Sequence, residues 1–454
     1  MSELPSGWVW TDTATVAEVQ GGIQKQPKRR PTTNHYPFLR VANVMRGRLD
    51  LNEVHEIELF KGELEKFKLR AGDLLVVEGN GSPDQIGRAA RWHDEIENCV
   101  HQNHLIRVRP SEAIDSMYLA HYWNASRTTE YLRSVASSTS GLHVLTAAKV
   151  RSVQIPLPPM EEQRRIVGAI DEQFSRLDAG VAALERVRQN LKRMRAAALS
   201  SLLRAEDGTD FRQVELGDVL IHGRYGTSTK CSVVGKGLPV LRIPNVQSGR
   251  IDLSDLKYAI DLSVDLERSR VAEDDILIIR TNGSRSLIGR AAVVPKVPYP
   301  VAFASYLIRL RVDPTAVNPA YMVAALAAPS MRAQLEKLAA TSAGQYNISL
   351  DKLRSIRIPL PSLSQQRLAL STTEGFLSIA DHMDKDVEQS LIRANQVRFA
   401  ILTQAFAGAL MDQDPTDEPA SVLLKRMSAK EISTNGHRAR RGRKPRVLAE
   451  EVTA

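Results

Sequence analysis

An internal repeat, at a shift of about 202 residues, constrains the fold of this chain more than any other feature of its sequence. Residues 39–51 match residues 241–253 at eight of 13 positions, where unrelated segments would match at about one. Asn-Gly-Ser followed by Ile-Gly-Arg-Ala-Ala occurs within both 80–90 and 282–292. The repeat predicts two units of about 200 residues each, followed by about 40 residues that do not repeat.

The first part of each unit is predicted to be a mixed, strand-rich domain. Short apolar, partly β-branched runs are typical of buried strands, and the Asn-Gly pairs that follow favour turns with positive φ. The predicted strands are 73–77 and 104–109 in the first unit and 275–279 and 306–311 in the second. Asp115 or Ser116 is expected to cap the next helix of the first unit, and Asn318, with Pro319 at the first helical position, that of the second. Because strands and helices do not alternate regularly, the sequence favours an α+β fold over a parallel α/β sheet.

The second part of each unit is predicted to be one long helix that follows a Pro-Leu-Pro sequence. Residues 160–203 contain no proline, and at 1.5 Å per residue about 40 helical residues span roughly 60 Å. Apolar residues recur at steps of three and four, as in a coiled-coil seam, so the two helices are expected to pack on each other. The predicted seam is Ile166, Ile170, Phe174, Leu177, Val181, Leu184, Val187, Leu191, Met194 and Ala198 in the first helix and Phe376, Ile379, Met383, Val387, Leu391, Ala394, Val397 and Ile401 in the second.

Composition narrows the class of protein. The net charge of +9 and the pI near 9.5 suggest an acidic partner, with nucleic acid as the first candidate. Aromatic residues are only 5%, which disfavours a single-strand binder built on stacked bases. Two cysteines, no long apolar run and no signal peptide favour a cytoplasmic protein without a membrane segment.

The sequence motifs of common enzymes are missing from this chain. It has no phosphate-binding Gly-x-x-x-x-Gly-Lys-Ser/Thr loop, no dinucleotide fingerprint and no Pro-Pro-Tyr/Phe tetrapeptide of the amino-methyltransferases. His101 and His104 lack a convincing set of further metal ligands, and Phe303 and Tyr306 stand at their counterparts in the second unit. We therefore predict no catalytic, cofactor-binding or metal site in this chain.

The two helix starts carry a family resemblance. Gln-Ile-Pro-Leu-Pro-Pro-Met-Glu-Glu-Gln-Arg-Arg-Ile at 154–166 has a second copy, Arg-Ile-Pro-Leu-Pro-Ser-Leu-Ser-Gln-Gln-Arg-Leu, at 357–368. Two such motifs, each behind a matching domain, resemble the specificity (S) subunit of type I restriction-modification enzymes over residues 1 to about 411. Ser364-Gln365 replaces Glu161-Glu162 in the second copy, so the two helix starts are inequivalent.

This resemblance implies a fold with a pseudo-twofold internal repeat. Two target recognition domains would each be followed by a long helix, and the helices would pair as an antiparallel coiled coil. The implied segments are recognition domain 1 (1–159), a central spacer helix (160–205), recognition domain 2 (206–361), a C-terminal spacer helix (362–411) and a disordered basic tail (412–454).

It also implies a DNA-reading subunit without catalysis of its own. Each recognition domain would read one half of a bipartite target in double-stranded DNA, and the helices would set the gap between the halves. The helices would also dock two adenine-methyltransferase subunits, and two restriction subunits would join that complex. S-adenosylmethionine, ATP and Mg²⁺ are then expected on those partners and not on this chain.

The candidate DNA-contacting residues are polar and basic side chains of loops that differ between the two units. Arg can read guanine, and Asn or Gln can read adenine, in the major groove. The candidates are Lys25, Lys28, Arg29, Arg30, Asn34, Gln85 and Arg88 in the first unit and Arg224, Tyr225, Lys230, Asn282, Arg285, Arg290, Gln345, Tyr346 and Asn347 in the second. A solvated loop is the alternative for 25–30. Arg88 and Arg290, being identical in both units, suit phosphate contacts or structural roles better than reading different bases, and so do Lys149 with Lys352 and Arg151 with Arg354.

The non-repeated end changes in composition. Residues 412–418 are acidic and proline-containing, 421–427 suit a short helix, and 436–446 hold six cations without an acid. Arg441-Gly442-Arg443-Lys444-Pro445 resembles an AT-hook, which places Arg in the A·T minor groove, although Lys444 separates Arg443 from the proline. Arg441 and Arg443 are therefore candidates for minor-groove contact, with general phosphate binding or a solvated tail as the alternative.

Two functions of other classes are weighed against this prediction. A stand-alone DNA methyltransferase would need a cofactor motif, which the sequence lacks. A coiled-coil scaffold without a DNA role would not explain the basic domains. The DNA-specificity subunit is therefore the leading interpretation of the sequence.

Overall fold

The computed structural model describes residues 3–139, 142–205, 211–235, 237–261, 266–342 and 344–429. The chain forms two compact units, one from the residues up to 182 together with 391 onward, and the other from 183–390. Each unit contains one head, the globular strand-rich part of a repeat, and a stretch of both long helices. Each long helix is thus divided between the two units, and the helices do not form a unit of their own.

The first head contains twelve strands and five helices among the described residues. Its strands are β1 (Val9–Asp12), β2 (Ala17–Gly21), β3 (Tyr36–Leu39), β4 (His55–Ile57), β5 (Leu74–Val77), β6 (Gly79–Asn80), β7 (Ala89–Arg91), β8 (Val100–His101), β9 (Leu105–Pro110), β10 (Ser137–Thr139), β11 (Leu142–Val144) and β12 (Gln154–Leu157). Its helices are α1 (Thr13–Val16), α2 (Glu63–Phe67), α3 (Ser116–Asn124), α4 (Ser126–Val135) and α5 (Ala147–Arg151), and the long helix α6 (Met160–Ser201) follows.

The second head follows a similar order, with fourteen strands and three helices among the described residues. Its strands are β13 (Gln213–Glu215), β14 (Leu220–Tyr225), β15 (Cys231–Ser232), β16 (Pro239–Leu241), β17 (Gly249–Arg250), β18 (Lys257–Ala259), β19 (Ile276–Ile279), β20 (Thr281–Asn282), β21 (Ala291–Val293), β22 (Ala302–Phe303), β23 (Leu307–Val312), β24 (Ala340–Ser342), β25 (Gln345–Asn347) and β26 (Arg357–Pro359). Its helices are α7 (Pro319–Ala327), α8 (Pro329–Leu338) and α9 (Leu350–Arg354), and the second long helix is α10 (Leu363–Phe406).

One antiparallel sheet forms the centre of each head. Its order is β2-β9-β5-β7 in the first head and β14-β23-β19-β21-β17 in the second, where the short edge strand β17 pairs parallel to β21. In β5, Leu74 and Val76 face one apolar cluster while Leu75 and Val77 face another, so both sides of the strand are buried. Burial on both sides explains why this strand reads as a continuous apolar run. The α+β prediction and the four predicted strands are confirmed.

The predicted helix caps are confirmed as well. Asp115 accepts hydrogen bonds from the N–H groups of Met117 and Tyr118, at 2.8 and 3.0 Å. Asn318 accepts one from the Ala320 N–H at 2.9 Å, and Pro319 occupies the first turn of α7. These side chains satisfy N–H groups that have no partner inside the helix.

The two long helices pack together in antiparallel orientation. In the second unit, Arg188 lies 3.9 Å from Asp384, and Arg195, further along α6, is 2.8 Å from the earlier residue Asp381. In the first unit, Arg398 of α10 pairs with Asp178 and stacks over the Phe174 ring at 4.3 Å. The helix pair is therefore fastened by arginine contacts at its surface as well as by its apolar seam.

The predicted seam is right for α6 and wrong for part of α10. Ile166, Ile170 and Leu191 of α6 are buried as expected. In α10, however, four predicted seam residues are exposed by 42–56%: Phe376, Ile379, Met383 and Val397. Val387 and Ile401 are buried as predicted. Leu370, Thr373 and Ala380, which the predicted seam did not include, are buried as well, since small side chains let the helices approach closely and the Arg195–Asp384 pair uses the same face.

A buried glutamine fastens each head to its long helix. The Gln163 side chain accepts from the Asp115 N–H at 2.7 Å and donates to the carbonyls of Ala113 and Pro158, at 3.1 and 3.0 Å. Gln366 makes the same three bonds in the second head, with Asn318, Ala316 and Pro361. Both amides are fully buried, so these bonds fix the loop before the capped helix against the start of the long helix.

A tyrosine reinforces each of these junctions. The hydroxyl of Tyr118 donates to the Pro156 carbonyl at 2.6 Å, and that of Tyr321 donates to the Pro359 carbonyl at 2.9 Å. Proline has no N–H that could pair within the strand. Its carbonyl can still accept a hydrogen bond, and the tyrosine hydroxyl donates it. The Pro-Leu-Pro…Gln motif is thus a structural joint.

The segment after α10 is folded in its described part. Residues 420–429 form a helix, and Leu423, Leu424 and Met427 pack against the first core. The Ala420 N–H donates to the Gly7 carbonyl at 3.0 Å, and Asp417 pairs with Arg165. The short predicted helix is confirmed, and the prediction of disorder is wrong for 412–429, because the apolar residues of this segment have a core to cover. Arg441 and Arg443 lie outside the described residues.

We expect Gln163→Ala to lower the free energy of unfolding by roughly 3–5 kcal/mol. The substitution leaves one buried N–H and two buried carbonyls without partners, and each such group costs about 1–3 kcal/mol. Denaturant unfolding would measure the change. Gln189→Ala, which removes an exposed glutamine from α6, is the matched control, and an equal effect of both substitutions would contradict this role of Gln163.

Candidate DNA interface

The loop at 25–30 presents three cations to solvent and uses a fourth to hold itself. Lys25, Lys28 and Arg30 are exposed. Arg29 instead makes two hydrogen bonds to Glu63, at 2.7 and 2.8 Å, and lies over the Phe60 ring at 4.5 Å. The hydrogen bonds from Arg29 lower the pKa of Glu63 to about 2. Arg29 therefore acts as an anchor that leaves its neighbours free for an acidic partner.

Asn34 also has a local structural role. Its amide group donates to the Leu59 carbonyl at 3.0 Å and its oxygen accepts from the Leu59 N–H at 2.8 Å. Both ends of the amide are thus engaged by one backbone residue. Asn34 joins the loop to the chain near β4 and is a weaker candidate for base contact than the exposed cations.

The loop between β6 and β7 is held from within by Arg88. Its guanidinium donates to the carbonyls of Val44 and Val41, at 2.6 and 3.0 Å, and to the side chain of Gln85 at 2.7 Å. The residue is buried, and burial lowers the pKa of Arg88. Of the two roles considered for this shared arginine, the geometry supports the structural one.

The turn prediction for this loop is half right. Asn80 and Asn282 each accept a hydrogen bond from the N–H two residues later, at 2.9 and 2.8 Å, as turn residues do. The positive φ angles of the two loops lie at Gly87 (68°) and Gly289 (74°), however, and not at the glycines of the Asn-Gly pairs. A Cβ at Gly87 would come within 2.8 Å of Leu132, so close packing of α4 on the loop requires glycine there.

Three candidates of the second head lie at the end of β14 and in the loop that follows. Arg224 and Lys230 are exposed. Tyr225 is half-exposed, its hydroxyl accepts a hydrogen bond from the Leu350 N–H at 2.9 Å, and Arg280 lies over its ring at 4.5 Å. The Tyr225 ring and the arginine stacked on it form a fixed, partly exposed surface. The exposed side chains of Arg224 and Lys230 lie in the same segment of the chain.

The other candidates of this head meet around a small sheet. Strand β20 pairs with β25, so that Asn282 lies opposite Tyr346. Asn347 accepts hydrogen bonds from Arg280 and Thr281, both at 3.2 Å, while Gln345 is exposed. Pairing thus brings together two candidate segments that are about 60 residues apart in the sequence.

The shared basic residues of α5 and α9 have structural roles. Lys149 donates to the Val135 carbonyl, and Lys352 donates to the Leu338 carbonyl at 2.9 Å. Arg151 donates to the Val19 carbonyl at 2.9 Å. Lys149 and Lys352 make the same contact in the two heads, which explains why both copies keep a lysine at this position.

Comparisons with known proteins agree with this architecture. A family model for the type I restriction modification DNA specificity domain matches residues 5–191 and again residues 209–382. This chain belongs to that family. It is 26% identical over 465 residues to the EcoKI specificity subunit of the type I restriction enzyme of Escherichia coli K12, covering 97% of this chain and 98% of that one. The StySPI specificity subunit of Salmonella potsdam is 25% identical with the same coverage.

Solved structures share the fold of this family member. One comes from work on complex assembly and conformational transition of the type I R-M system and has a TM-score of 0.70, with 18% identity over 90% of this chain and all of that chain. The HsdS subunit from Thermoanaerobacter tengcongensis gives a TM-score of 0.50 at the same identity, over 90% of this chain and 99% of that one. The predicted family and fold are confirmed.

Three arginines near the candidate loops were missed by the sequence analysis of this specificity-domain protein. Arg46 and Arg133 lie beside the loop at 82–88, and Arg332 lies beside the loop at 284–290. None belongs to a basic run, and each comes from an element distant in sequence from its loop. One feature of the sequence could have identified them: each of these positions is an arginine in one repeat and a different residue in the other.

Other features of the described residues bear on the excluded functions. No group of three or more His, Cys, Asp and Glu side chains in these residues could hold a metal ion. No helix of the described chain is long and apolar enough to cross a membrane.

The buried histidine His101 is a core residue of the first head. It is fully buried in β8, where the second head has Phe303 in β22. Burial, followed by the positive charge of Arg107, lowers the pKa of His101 to about 3. The ring is therefore neutral in the folded protein at neutral pH.

This pKa predicts acid sensitivity. Because the folded-state pKa lies below the unfolded value near 6.5, stability is full above that value and falls as the pH drops from 6.5 towards 3. His101→Phe should remove about 2 kcal/mol of the loss in unfolding free energy between pH 7 and pH 5, measured by denaturant unfolding at both pH values. His104→Tyr, which also copies the second head but at a half-exposed site, is the control. An unchanged pH dependence in the His101 variant would contradict the assignment.

Proposed function

We propose that this chain is the DNA-specificity subunit of a type I restriction-modification complex and that each head reads one half of a bipartite target in double-stranded DNA. The single observation that supports this most is the repeated head, whose scaffold residues are shared while its exposed polar loops differ. Two similar frames with different surfaces suit two half-sites with different sequences. The antiparallel long helices would fix the gap between the halves.

The exposed candidates are assigned to the DNA. Lys25, Lys28 and Arg30 of the first head, with Arg224 and Lys230 of the second, are free to contact phosphates or bases. Gln345 can reach a base edge from a strand end, where amide side chains suit adenine. Arg29, Asn34 and Arg88 position these loops, as their internal hydrogen bonds indicate.

Catalysis is assigned to partner subunits. In this proposal two adenine-methyltransferase subunits bind S-adenosylmethionine, and two restriction subunits use ATP and Mg²⁺, while this chain chooses where they act in the cytoplasm. The two free cysteines, Cys99 and Cys231, have no part in that chemistry; burial raises the pKa of Cys99 to about 12, which keeps its thiol unreactive.

The outer face of α10 supports the docking of a partner protein. Leu368, Phe376, Ile379 and Met383 lie at helical spacing on the second unit and are 42–57% exposed. We call these four residues the α10 stripe. Several large apolar side chains exposed on one face of a helix in this way mark protein interaction sites. We assign the α10 stripe to contact with a methyltransferase subunit.

Substitutions in the α10 stripe should weaken that contact. Phe376→Ser with Ile379→Ser should lower the affinity for the methyltransferase subunit at least tenfold, because burying each side chain contributes about 1.5–3 kcal/mol. Co-purification and titration of the two subunits would measure it. Lys385→Ser with Glu388→Ser, on exposed polar positions of the same helix, is the control. Equal binding by both double variants would exclude the stripe as the contact.

The function itself is tested by mapping methylated adenines across the genome. Cells with this gene and active partner subunits should carry one split adenine-methylation motif that disappears when the gene is deleted. An unchanged methylation pattern would overturn the proposal. A purified chain that methylates DNA alone with S-adenosylmethionine would instead establish the stand-alone methyltransferase.

A further inference from the structure

Three arginines meet beside the loop at 82–88 of the first head. Arg46 donates to the Asp84 carbonyl at 3.1 Å, and Arg133 pairs with the Asp84 carboxylate at 3.0 Å. Arg88 lies behind them and holds Gln85. We call Arg46, Arg88 and Arg133, with Asp84, the first arginine patch. It contains three guanidinium groups and one carboxylate.

A second set of arginines lies beside the corresponding loop of the second head. Arg285 donates to the Glu336 carbonyl at 3.0 Å, and Arg332 lies 3.4 Å from the Glu336 carboxylate. Arg332 also donates to the carbonyls of Ile288 and Ser286, at 2.6 and 3.0 Å. Arg290 follows in the same loop. These residues, Arg285, Arg290 and Arg332 with Glu336, form the second arginine patch.

The two patches have the same charge but different residues. Only Arg88 and Arg290 occupy equivalent positions of the repeat. At the repeat shifts of 202 and 203, the counterparts of Arg46 and Arg133 are Ser248 and Glu336, and those of Arg285 and Arg332 are Pro83 and Thr129. Each head thus holds three arginines and one acid at one loop. Arg133 and Arg332 come from different positions of equivalent helices, α4 and α8, whereas Arg46 and Arg285 come from different segments.

The arginines of each patch repel one another. Burial and the positive charges of Arg133 and Arg88 lower the pKa of Arg46. Burial likewise lowers the pKa of Arg332, and Arg290 lowers it further despite Glu336. Backbone carbonyls hold these guanidinium groups in place without neutralising them. A fixed excess of positive charge at an exposed loop is suited to an anion.

The common charge favours a phosphate over a base as that anion. Base reading requires particular side chains at particular positions, and it would differ between heads that read different sequences. Phosphate binding requires only charge and donors near one place, so the arginines can move between elements during divergence. The buried Arg88 supports the exposed members of its patch and cannot itself enter a groove.

We propose that each arginine patch binds a backbone phosphate of the DNA half-site that its head reads, as a contact that does not depend on base sequence. This inference rests on the proposed function, since it needs a DNA duplex at each head. The patches would set the position of each head on the duplex, and the exposed loop residues would then select the bases.

The test uses the full chain in complex with its methyltransferase subunits. The variant Arg46→Gln with Arg133→Gln should bind target duplex at least fivefold more weakly at low salt and lose non-target duplex to a similar extent. The slope of log affinity against log salt should fall by about one to two, as expected for one or two lost phosphate contacts. The methylated motif should keep the same letters. Arg285→Gln should have a smaller effect of the same kind in the second head.

Two matched variants separate charge from structure. Arg186→Gln with Arg193→Gln removes the same charge from exposed positions of α6 and should leave the salt slope unchanged. Arg46→Lys with Arg133→Lys retains the charge and should keep most of the slope. Denaturant unfolding of each variant checks the fold.

The outcomes are distinguishable. A salt slope equal to that of the α6 control, or a loss of target binding with unchanged non-target binding, would overturn the phosphate assignment. A parent complex that shows no preference for any split target would overturn the proposed function instead. The phosphate assignment is supported if the parent complex prefers a split target and the patch variant loses affinity for target and non-target duplex to a similar extent.

Discussion

The buried amides of Gln163 and Gln366 are the interactions on which the rest of this structure depends. A fully buried amide has to satisfy its donors and its acceptor inside the protein, and each of these does so by joining three separate pieces of backbone. The pieces are the loop before a capped helix, the end of the Pro-Leu-Pro strand and the first turn of a long helix. Since every partner is a backbone group, the joint tolerates side-chain divergence elsewhere in the head. The two heads can therefore differ in their loops while each keeps one orientation on its own helix.

The repeat made much of the fold predictable from the sequence, because an error in one copy was checked by the other. Strands β5 and β19 and the caps Asp115 and Asn318 were predicted at equivalent positions of both copies. For Arg88 and Lys149, which both copies share, the sequence left phosphate contact and a structural role open, and the hydrogen bonds support the structural role. The structural role of Gln163 and Gln366 could not be predicted in this way, because a sequence motif does not show which groups its residues contact. The predicted seam of α10 was wrong at Phe376, Ile379 and Met383. Two sets of residues on this helix have the spacing of a seam, and only contact with the other long helix decides which set is buried. The short helix within 412–429 was predicted, but its packing on the first core was not, because the acidic, proline-containing start of this segment is typical of a linker.

The candidate DNA-contacting residues stay a prediction, and the structure shows which of them are exposed. Lys28 and Arg224, in loops that differ between the copies, face solvent. Arg29 and Asn34 sit in the same loops but hold them in shape, and a sequence cannot separate the two roles because the same functional groups serve both. Arg46 and Arg133 become visible as partners only when the fold brings a turn, a loop and a helix together. Residues that hold the loops in shape and candidates for DNA contact are thus interleaved along the chain, and the structure separates them by which side chains bond within the protein.

The two long helices have diverged in a way that duplication alone would not produce. The counterparts of Leu368, Phe376, Ile379 and Met383 on α6 are Arg165, Gln173, Arg176 and Gly180, so the apolar row exists on α10 only. In the first unit, moreover, Arg165 is already paired with Asp417 of the segment that follows α10. A partner that docks through apolar contacts on the second unit would meet a polar and partly covered helix on the first. Under the proposed function, two identical partner subunits that dock on equivalent helix faces would bind this chain with unequal affinity, even though the chain is a repeat.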